Sequence, residues 1–194
     1  MSIAQDPPIL LLIDLQHGLV EGPSAWGPRS TPKLAENVTY LLDIWRSKLW
    51  PVLHVHHDDT ADPSNPISAS HPETFAPHSC SKPLDSEPVF IKHVGSPFVA
   101  TGLPAAIEAL GGKRKIALIG MDGSECVNNT TRNGVDLGYD IVVVGDACSS
   151  YAMNDWKTGK PFEAEETHNA AMSMLCSYAK VTMTKELLAV LGFE

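Results

Sequence analysis

Ile116-Ala117-Leu118-Ile119-Gly120-Met121-Asp122-Gly123-Ser124-Glu125-Cys126-Val127-Asn128-Asn129-Thr130-Thr131 is where this chain passes from strand to helix. An apolar run of strand length ends at Gly120, a short turn follows, and Cys126 falls where a helix begins. Ser124 is suited to cap that helix and Gly138 to stop it, which predicts a helix over 124–137. A thiol in a first helical turn faces unpaired N–H groups and the positive end of the macrodipole, so its pKa is expected to fall below the free value. A cysteine here can equally be a small buried hydrophobe, so its partners decide its role. The Gly120-x-x-Gly123 pair is not a nucleotide loop, because it lacks both the G-x-G-x-x-G spacing and a following Gly-Lys-Ser/Thr.

The segments on either side follow the same alternation. Residues 9–13 form a continuous apolar run that ends in Asp14-Leu15-Gln16, as expected of a strand buried on both faces and closing on an acid. Residues 18–30 read as a loop. Thr31 and Pro32 then start a helix whose buried face carries Leu34, Val38, Leu41, Leu42, Trp45 and Leu49. A second strand is expected over 51–55, and a long excursion rich in Pro, Ser and His over 56–88, the kind of segment that forms lids or binding loops. Further strands are expected over 89–92, 115–119, 140–144 and 181–184. Helices are expected over 101–110, closed by Gly111-Gly112, over 162–178 and over 185–191, with a loop over 146–161. Solid apolar strands alternating with helices predict an α/β fold with a parallel sheet covered on both faces and right-handed crossovers. In such sheets ligands bind beyond the carboxyl ends of the strands, where Asp14, Lys92 and Cys126 all fall.

The composition bounds what this scaffold does. The chain has 194 residues, 43% hydrophobic and 19% charged, which suits one domain over 1–194 with a large core. A formal net charge of −9 argues against nucleic-acid partners and anionic membranes, both of which need a basic face. The start of the chain, through Pro8, carries no basic stretch leading into a long apolar one, and no later run reaches transmembrane length. Cys80, Cys126, Cys148 and Cys176 are widely spaced, with no C-x-x-C pair for zinc or redox chemistry, and read as reduced thiols of a cytoplasmic protein. A homo-oligomer is expected.

An acid, a lysine and a thiol on one edge make a coherent chemistry. The carboxylate takes the thiol proton and returns it to a leaving group, while the lysine steadies the thiolate and tunes the acid. Each has a plain alternative, since Asp14 could cap a turn and Lys92 could be a solvated strand end.

Three ordered motifs carry a resemblance over nearly the whole chain: Leu12-Ile13-Asp14-Leu15-Gln16; Ile91-Lys92-His93-Val94-Gly95-Ser96-Pro97-Phe98 with Thr101 and Leu103; and Cys126-Val127-x-x-Thr130-x-Arg132 with Gly138-Tyr139 and Asp146-Ala147. In these the chain resembles the isochorismatase-like cysteine hydrolases. The resemblance implies a three-layer α/β/α sandwich on a mostly parallel six-stranded sheet, with Cys126 as nucleophile, Asp14 as base and then acid, and Lys92 as third member. It also implies a cis peptide at Met121–Asp122 and an oxyanion hole made by the N–H groups of Asp122 and Cys126.

Two departures from the family pattern stand out. Asp122 occupies a position where a small residue is usual, and a second carboxylate there could repel an anionic substrate or raise the acid's pKa. The nicotinamidase branch has an Asp-x-His metal motif after the second strand, whereas this chain has His54-Val55-His56-His57-Asp58-Asp59. That spacing matches no recognised ligand set, so no metal or other cofactor is expected. The expected activity is cleavage of a C–N bond in a small amide or related compound through a Cys126 thioester. Isochorismate hydrolysis is the alternative, and a non-enzymatic binder on the same fold is a third reading. Leu19, Trp26, His56, Phe98 and Tyr151 are candidate walls of the small-molecule pocket.

Overall fold

A computed structural model describes residues 7–23, 26–111 and 115–193; Gly112 and residues 1–6 lie outside them. Six strands, β1 (Ile9–Ile13), β2 (Val52–His57), β3 (Val89–Lys92), β4 (Lys115–Gly120), β5 (Asp140–Cys148) and β6 (Lys180–Thr182), form one sheet in the order β3-β2-β1-β4-β5-β6. Every neighbouring pair is parallel. All five residues of β1 are buried, as the middle of a doubly covered sheet requires.

Alternation along the strands sorts side chains to the two faces. Leu10, Leu12 and Val52 pack with α2 (Leu34–Ser47) and α7 (Thr184–Val190). Ile9, Leu11, Ile13, Leu53 and Val55 pack with α4 (Leu103–Ala109), α5 (Cys126–Asp136) and α6 (Ala164–Leu175). The result is the expected three-layer sandwich, with two short helices, α1 (His17–Val20) and α3 (Pro72–Phe75), that contact each other.

The chain winds from β1 outward through β2 to β3, then returns to β4 on the other side of β1. The strand order therefore reverses between β1 and β4, which opens a crevice beyond their carboxyl ends. Gly120 makes the close approach there possible. Its φ is +136°, and a Cβ on it would sit 2.0 Å from the Ile13 carbonyl oxygen. Gly120→Ala is therefore expected to destabilise the fold by about 2–5 kcal/mol, from backbone strain and overpacking together. Urea unfolding checks this, and an unchanged midpoint would show that the β1–β4 junction yields freely.

Several boundaries differ from expectation. Residues 18–30 begin inside α1, and α2 starts at Leu34 rather than at Thr31. Leu49, expected on the buried face, lies beyond the end of α2 and is 93% exposed. β2 runs to His57 and β5 to Cys148, because parallel pairing with β3 and β4 extends them past their apolar runs. The excursion after β2 holds α3 and a short 3-10 turn at Ser79–Ser81. Ser124 does not cap α5: its N–H and hydroxyl both bond Asp122 Oδ1, each at 2.7 Å, and the helix opens at Cys126 with Glu125 as an N-cap that makes no side-chain bond. Gly138, at φ +89°, does end that helix.

Candidate active site

Asp14 follows β1, Lys92 ends β3 and Cys126 opens α5, and the fold brings all three together. Lys92 and Asp14 are fully buried, with Nζ 2.7 Å from Asp14 Oδ2. Nζ also donates to Cys126 Sγ at 3.2 Å and to His57 Nδ1 at 2.6 Å. An ammonium has three protons and no lone pair; it donates to His57 and Cys126 and meets Asp14 as an ion pair, neither Asp14 oxygen having a hydrogen bond of good geometry. His57 must therefore present an unprotonated Nδ1, which places its ring proton on Nε2. Burial and the charge of Lys92 both lower the His57 pKa, in keeping with a neutral ring.

His57 is the residue that sequence reading missed, and strand register explains why. His54, His56 and His57 are near neighbours in sequence, but alternate positions of β2 face opposite sides of the sheet. His54 turns to Glu87, 2.9 Å away, which Arg46 grips through two 2.8 Å bonds. His56 is buried with its ring 6.3 Å from that of Phe75, and burial pushes its pKa down to about 4. Only His57, opposite Lys92 in the β2–β3 register, reaches the thiol side. Gln16 fixes it there. The buried Gln16 amide accepts from His57 N–H at 2.8 Å and donates to the carbonyls of His57 and Phe75, each at 3.0 Å. The Asp-Leu-Gln motif thus supplies both the acid and the clamp that positions His57.

The electrostatics correct one expectation. Burial first, and the charge of Asp14 second, push the Cys126 thiol up to about 12 against the opposing pull of Lys92. The resting residue is a thiol, not a standing thiolate; desolvation outweighs the position at a helix N-terminus. Burial also raises the Asp14 carboxyl above its ordinary value, with Lys92 opposing. A raised carboxyl is a stronger base, and it lies beside the thiol whose proton must leave.

Asp14, His57 and Cys126 offer ligand atoms within 4.8 Å of one another, a spacing that could hold a metal ion. The Lys92 ammonium, however, contacts all three. It occupies the centre a metal would need, and its charge opposes a second cation there, so these residues do not fit a metal.

The turn before Cys126 has the expected cis peptide at Met121–Asp122. Gly123, Ser124, Glu125 and Val127 all donate their N–H groups within the turn or to Ser149. Among the described residues, the N–H groups of Asp122 and Cys126 meet no acceptor. The Asp122 carboxylate is fully engaged, Oδ1 by Ser124 and Oδ2 by the Tyr151 N–H at 2.9 Å. It holds the turn together and ties it to the loop after β5. Thr130 Oγ1 donates to the Cys126 carbonyl at 2.6 Å and so steadies the first turn of α5.

The candidate pocket residues divide. Leu19, Trp26 and Tyr151 form one group: the Tyr151 hydroxyl donates to the Leu19 carbonyl at 2.8 Å, and its ring lies 5.4 Å from that of Trp26, edge on. Phe98 is a core residue, stacked on Tyr139 at 4.9 Å and packed over Gly134. His56 lies on the opposite face of β2 from His57, as described above. Asp146, quoted in the third motif, accepts from the N–H and hydroxyl of Thr184 at 2.7 and 2.8 Å, and so starts α7.

A doubly wound parallel sheet with a buried Asp–Lys pair against a helix-opening cysteine defines a cysteine-hydrolase type of centre. Residues 8–186 match the Isochorismatase domain model. The chain is 31% identical over 182 residues to the isochorismatase family protein YrdC of Bacillus subtilis, covering 92% of this chain and 93% of that one. It is 30% identical over 139 residues to the secreted isochorismatase effector Isc1 of Verticillium dahliae, covering 72% and 70%. An isochorismatase-family crystal structure from Chromobacterium violaceum superposes with a TM-score of 0.89 at 31% identity, covering 99% of this chain and 97% of that one. The chain belongs to the isochorismatase family and is a hydrolase of that family.

Proposed function

We propose that the protein cleaves a C–N bond of a small amide or related compound through a thioester on Cys126. The observation that carries this reading is the thiol held beside the buried Asp14–Lys92 pair, with Nζ 2.7 Å from the carboxylate and 3.2 Å from sulfur. As Cys126 Sγ attacks the carbonyl carbon, its proton passes to Asp14. The oxyanion forms against the free N–H groups of Asp122 and Cys126. Asp14 then gives the proton to the departing nitrogen as the C–N bond breaks. Water attacks the thioester, Asp14 takes its proton, and the proton returns to sulfur as the acid leaves. Lys92 holds Asp14 and Cys126 in place throughout and balances the negative charge that moves between them. Leu19, Trp26, Tyr151 and the Nε2–H of His57 supply a partly apolar wall with one donor.

A second reading, hydrolysis of the isochorismate vinyl ether, draws support from the raised Asp14 carboxyl, which suits an acid, and from the name of the Verticillium relative. Intact-mass spectrometry on wild type quenched in acid, after exposure to a panel of amides, ureides and isochorismate, separates the two. An acyl adduct mapping to Cys126 with an amide or ureide is the expected result. Turnover of isochorismate alone, with no adduct, would replace the first reading by the second.

We read the protein as a single catalytic domain over 1–194 that acts in the cytoplasm, which its four free cysteines support. Among the described residues no helix is long and apolar enough to cross a membrane. Exposed Val89 and Ile91 on the edge strand β3 support self-association.

A further inference from the structure

Close to Asp14 and Gln16 in the chain, but built from other side chains, His17 at the start of α1 and Glu21 just past its end converge with His78 from the later half of the excursion. Their ligand atoms all lie within 4.8 Å of one another. Glu21 Oε1 is 3.3 Å from His78 Nε2 and 3.8 Å from His17 Nδ1. Ligands bonded to tetrahedral zinc at ~2.0–2.1 Å stand about 3.3–3.4 Å apart, so of the three edges one is already at that spacing, the second needs a small side-chain adjustment, and the third, His17 to His78, lies within 4.8 Å and closes by rotation of the rings. We propose that His17, Glu21 and His78 form a zinc site, with solvent water as fourth ligand.

The donor set suits the ion. Two imidazoles and a carboxylate are borderline ligands that favour zinc over magnesium or calcium. A neighbour that can orient His78 is also in place. His78 Nδ1 lies 3.0 Å from Cys80 Sγ. When zinc takes Nε2, the ring proton sits on Nδ1 and can be donated to that sulfur, the outer-shell bond that orients a metal-bound histidine. The weaker 3.3 Å bond now donated by the Cys80 N–H to Nδ1 is given up in exchange. At the triad the Lys92 ammonium fills the space between the ligand atoms. Here the nearby cation, Arg29, has Nε and Nη1 committed to the carbonyls of Val20, Ser30 and Thr31.

The consequence is mechanical. The two ligand-bearing segments are already laced together by His17 N–H to the Ala76 carbonyl at 2.9 Å and His78 N–H to the Leu15 carbonyl at 2.8 Å. Zinc would pin the later half of the excursion to the stretch that carries Asp14 and Gln16, and so stiffen the clamp on His57. It takes no part in the reaction itself.

The test uses the full chain stripped of metal, titrated with zinc by calorimetry and, in parallel, with cobalt for its visible spectrum. Wild type and Cys126→Ala are expected to bind one equivalent at this site, with cobalt bands typical of nitrogen and oxygen ligands and a melting temperature raised by several degrees. Glu21→Gln, on an exposed side chain, and His78→Ala are each expected to weaken binding by more than about tenfold, the smallest loss typical of even an outer-shell partner, and to abolish the thermal shift. Should His78→Ala misfold by circular dichroism, Glu21→Gln and His17→Ala carry the test. Binding that survives Glu21→Gln but is lost in Cys126→Ala would place the metal at the catalytic cluster and overturn the proposal. So would the absence of any equivalent in wild type.

Discussion

Cys126→Ala is expected to lower kcat/KM for the amide substrate by about 10⁴–10⁶-fold, the range seen when the nucleophile of a cooperating group is removed. The loss is large because Asp14 and Lys92 have no separate route to the same thioester. The fold should persist, since the side chain is small, partly exposed and not the main support of α5; Thr130 secures the first turn through the Cys126 backbone carbonyl, which the substitution leaves in place. Cys126→Ser keeps the geometry, yet a hydroxyl is far harder to deprotonate than a thiol, so it should recover little. The measurement is steady-state turnover of wild type and both variants on the amide panel and on isochorismate, with circular dichroism as the folding control. If isochorismate turned over equally well in wild type and Cys126→Ala while amides were untouched by either, the thioester mechanism would fail.

Lys92→Ala is expected to lower kcat/KM by about 10²–10⁴-fold and to move the profile toward alkaline pH. The active form needs the Asp14 carboxylate, so kcat/KM rises as pH climbs through the Asp14 pKa. Burial already raises that pKa, and Lys92 is the largest influence pulling it down. Without Lys92 the carboxyl pKa rises further and the acid limb shifts to higher pH. The Cys126 thiol, held at about 12 despite the lysine, rises as well. Stability should fall too, because truncating one partner of a buried pair typically costs about 3–5 kcal/mol. Replacing both partners, Asp14→Asn with Lys92→Met, should recover much of that stability and none of the activity. Lys92→Arg keeps the charge but cannot fit three acceptors around a compact ammonium, so it rescues partly at best. The readout is kcat/KM against pH together with urea midpoints. A folded Lys92→Ala enzyme with the wild-type profile would reduce Lys92 to a buried strut.

Apolar patterning alone carries the layer architecture and puts Asp14, Lys92 and Cys126 at one sheet edge. Unbroken apolar runs such as Ile9 to Ile13 require burial on both faces, which only a covered parallel sheet provides, and strand ends in such a sheet share one edge. That logic placed Asp14, Lys92 and Cys126 together without any coordinate. Register, burial and close approach are set only in the folded chain. Whether His54, His56 or His57 meets the lysine turns on a single residue of strand parity, and no local pattern states where β2 ends. A lysine at a strand end reads from the pattern as solvated or buried alike, and only the fold encloses its side chain, with Asp14, His57 and Cys126 around the ammonium. The thiol pKa went against the helix-terminus argument because desolvation depends on everything packed around Cys126, which sequence spacing does not report. Phe98 likewise belongs to a family motif but serves the core, since its ring finds Tyr139 and the space over Gly134. The convergence of His17, Glu21 and His78 joins segments far apart in the chain, and only the folded backbone, by lacing residue 17 to residue 76, sets them side by side.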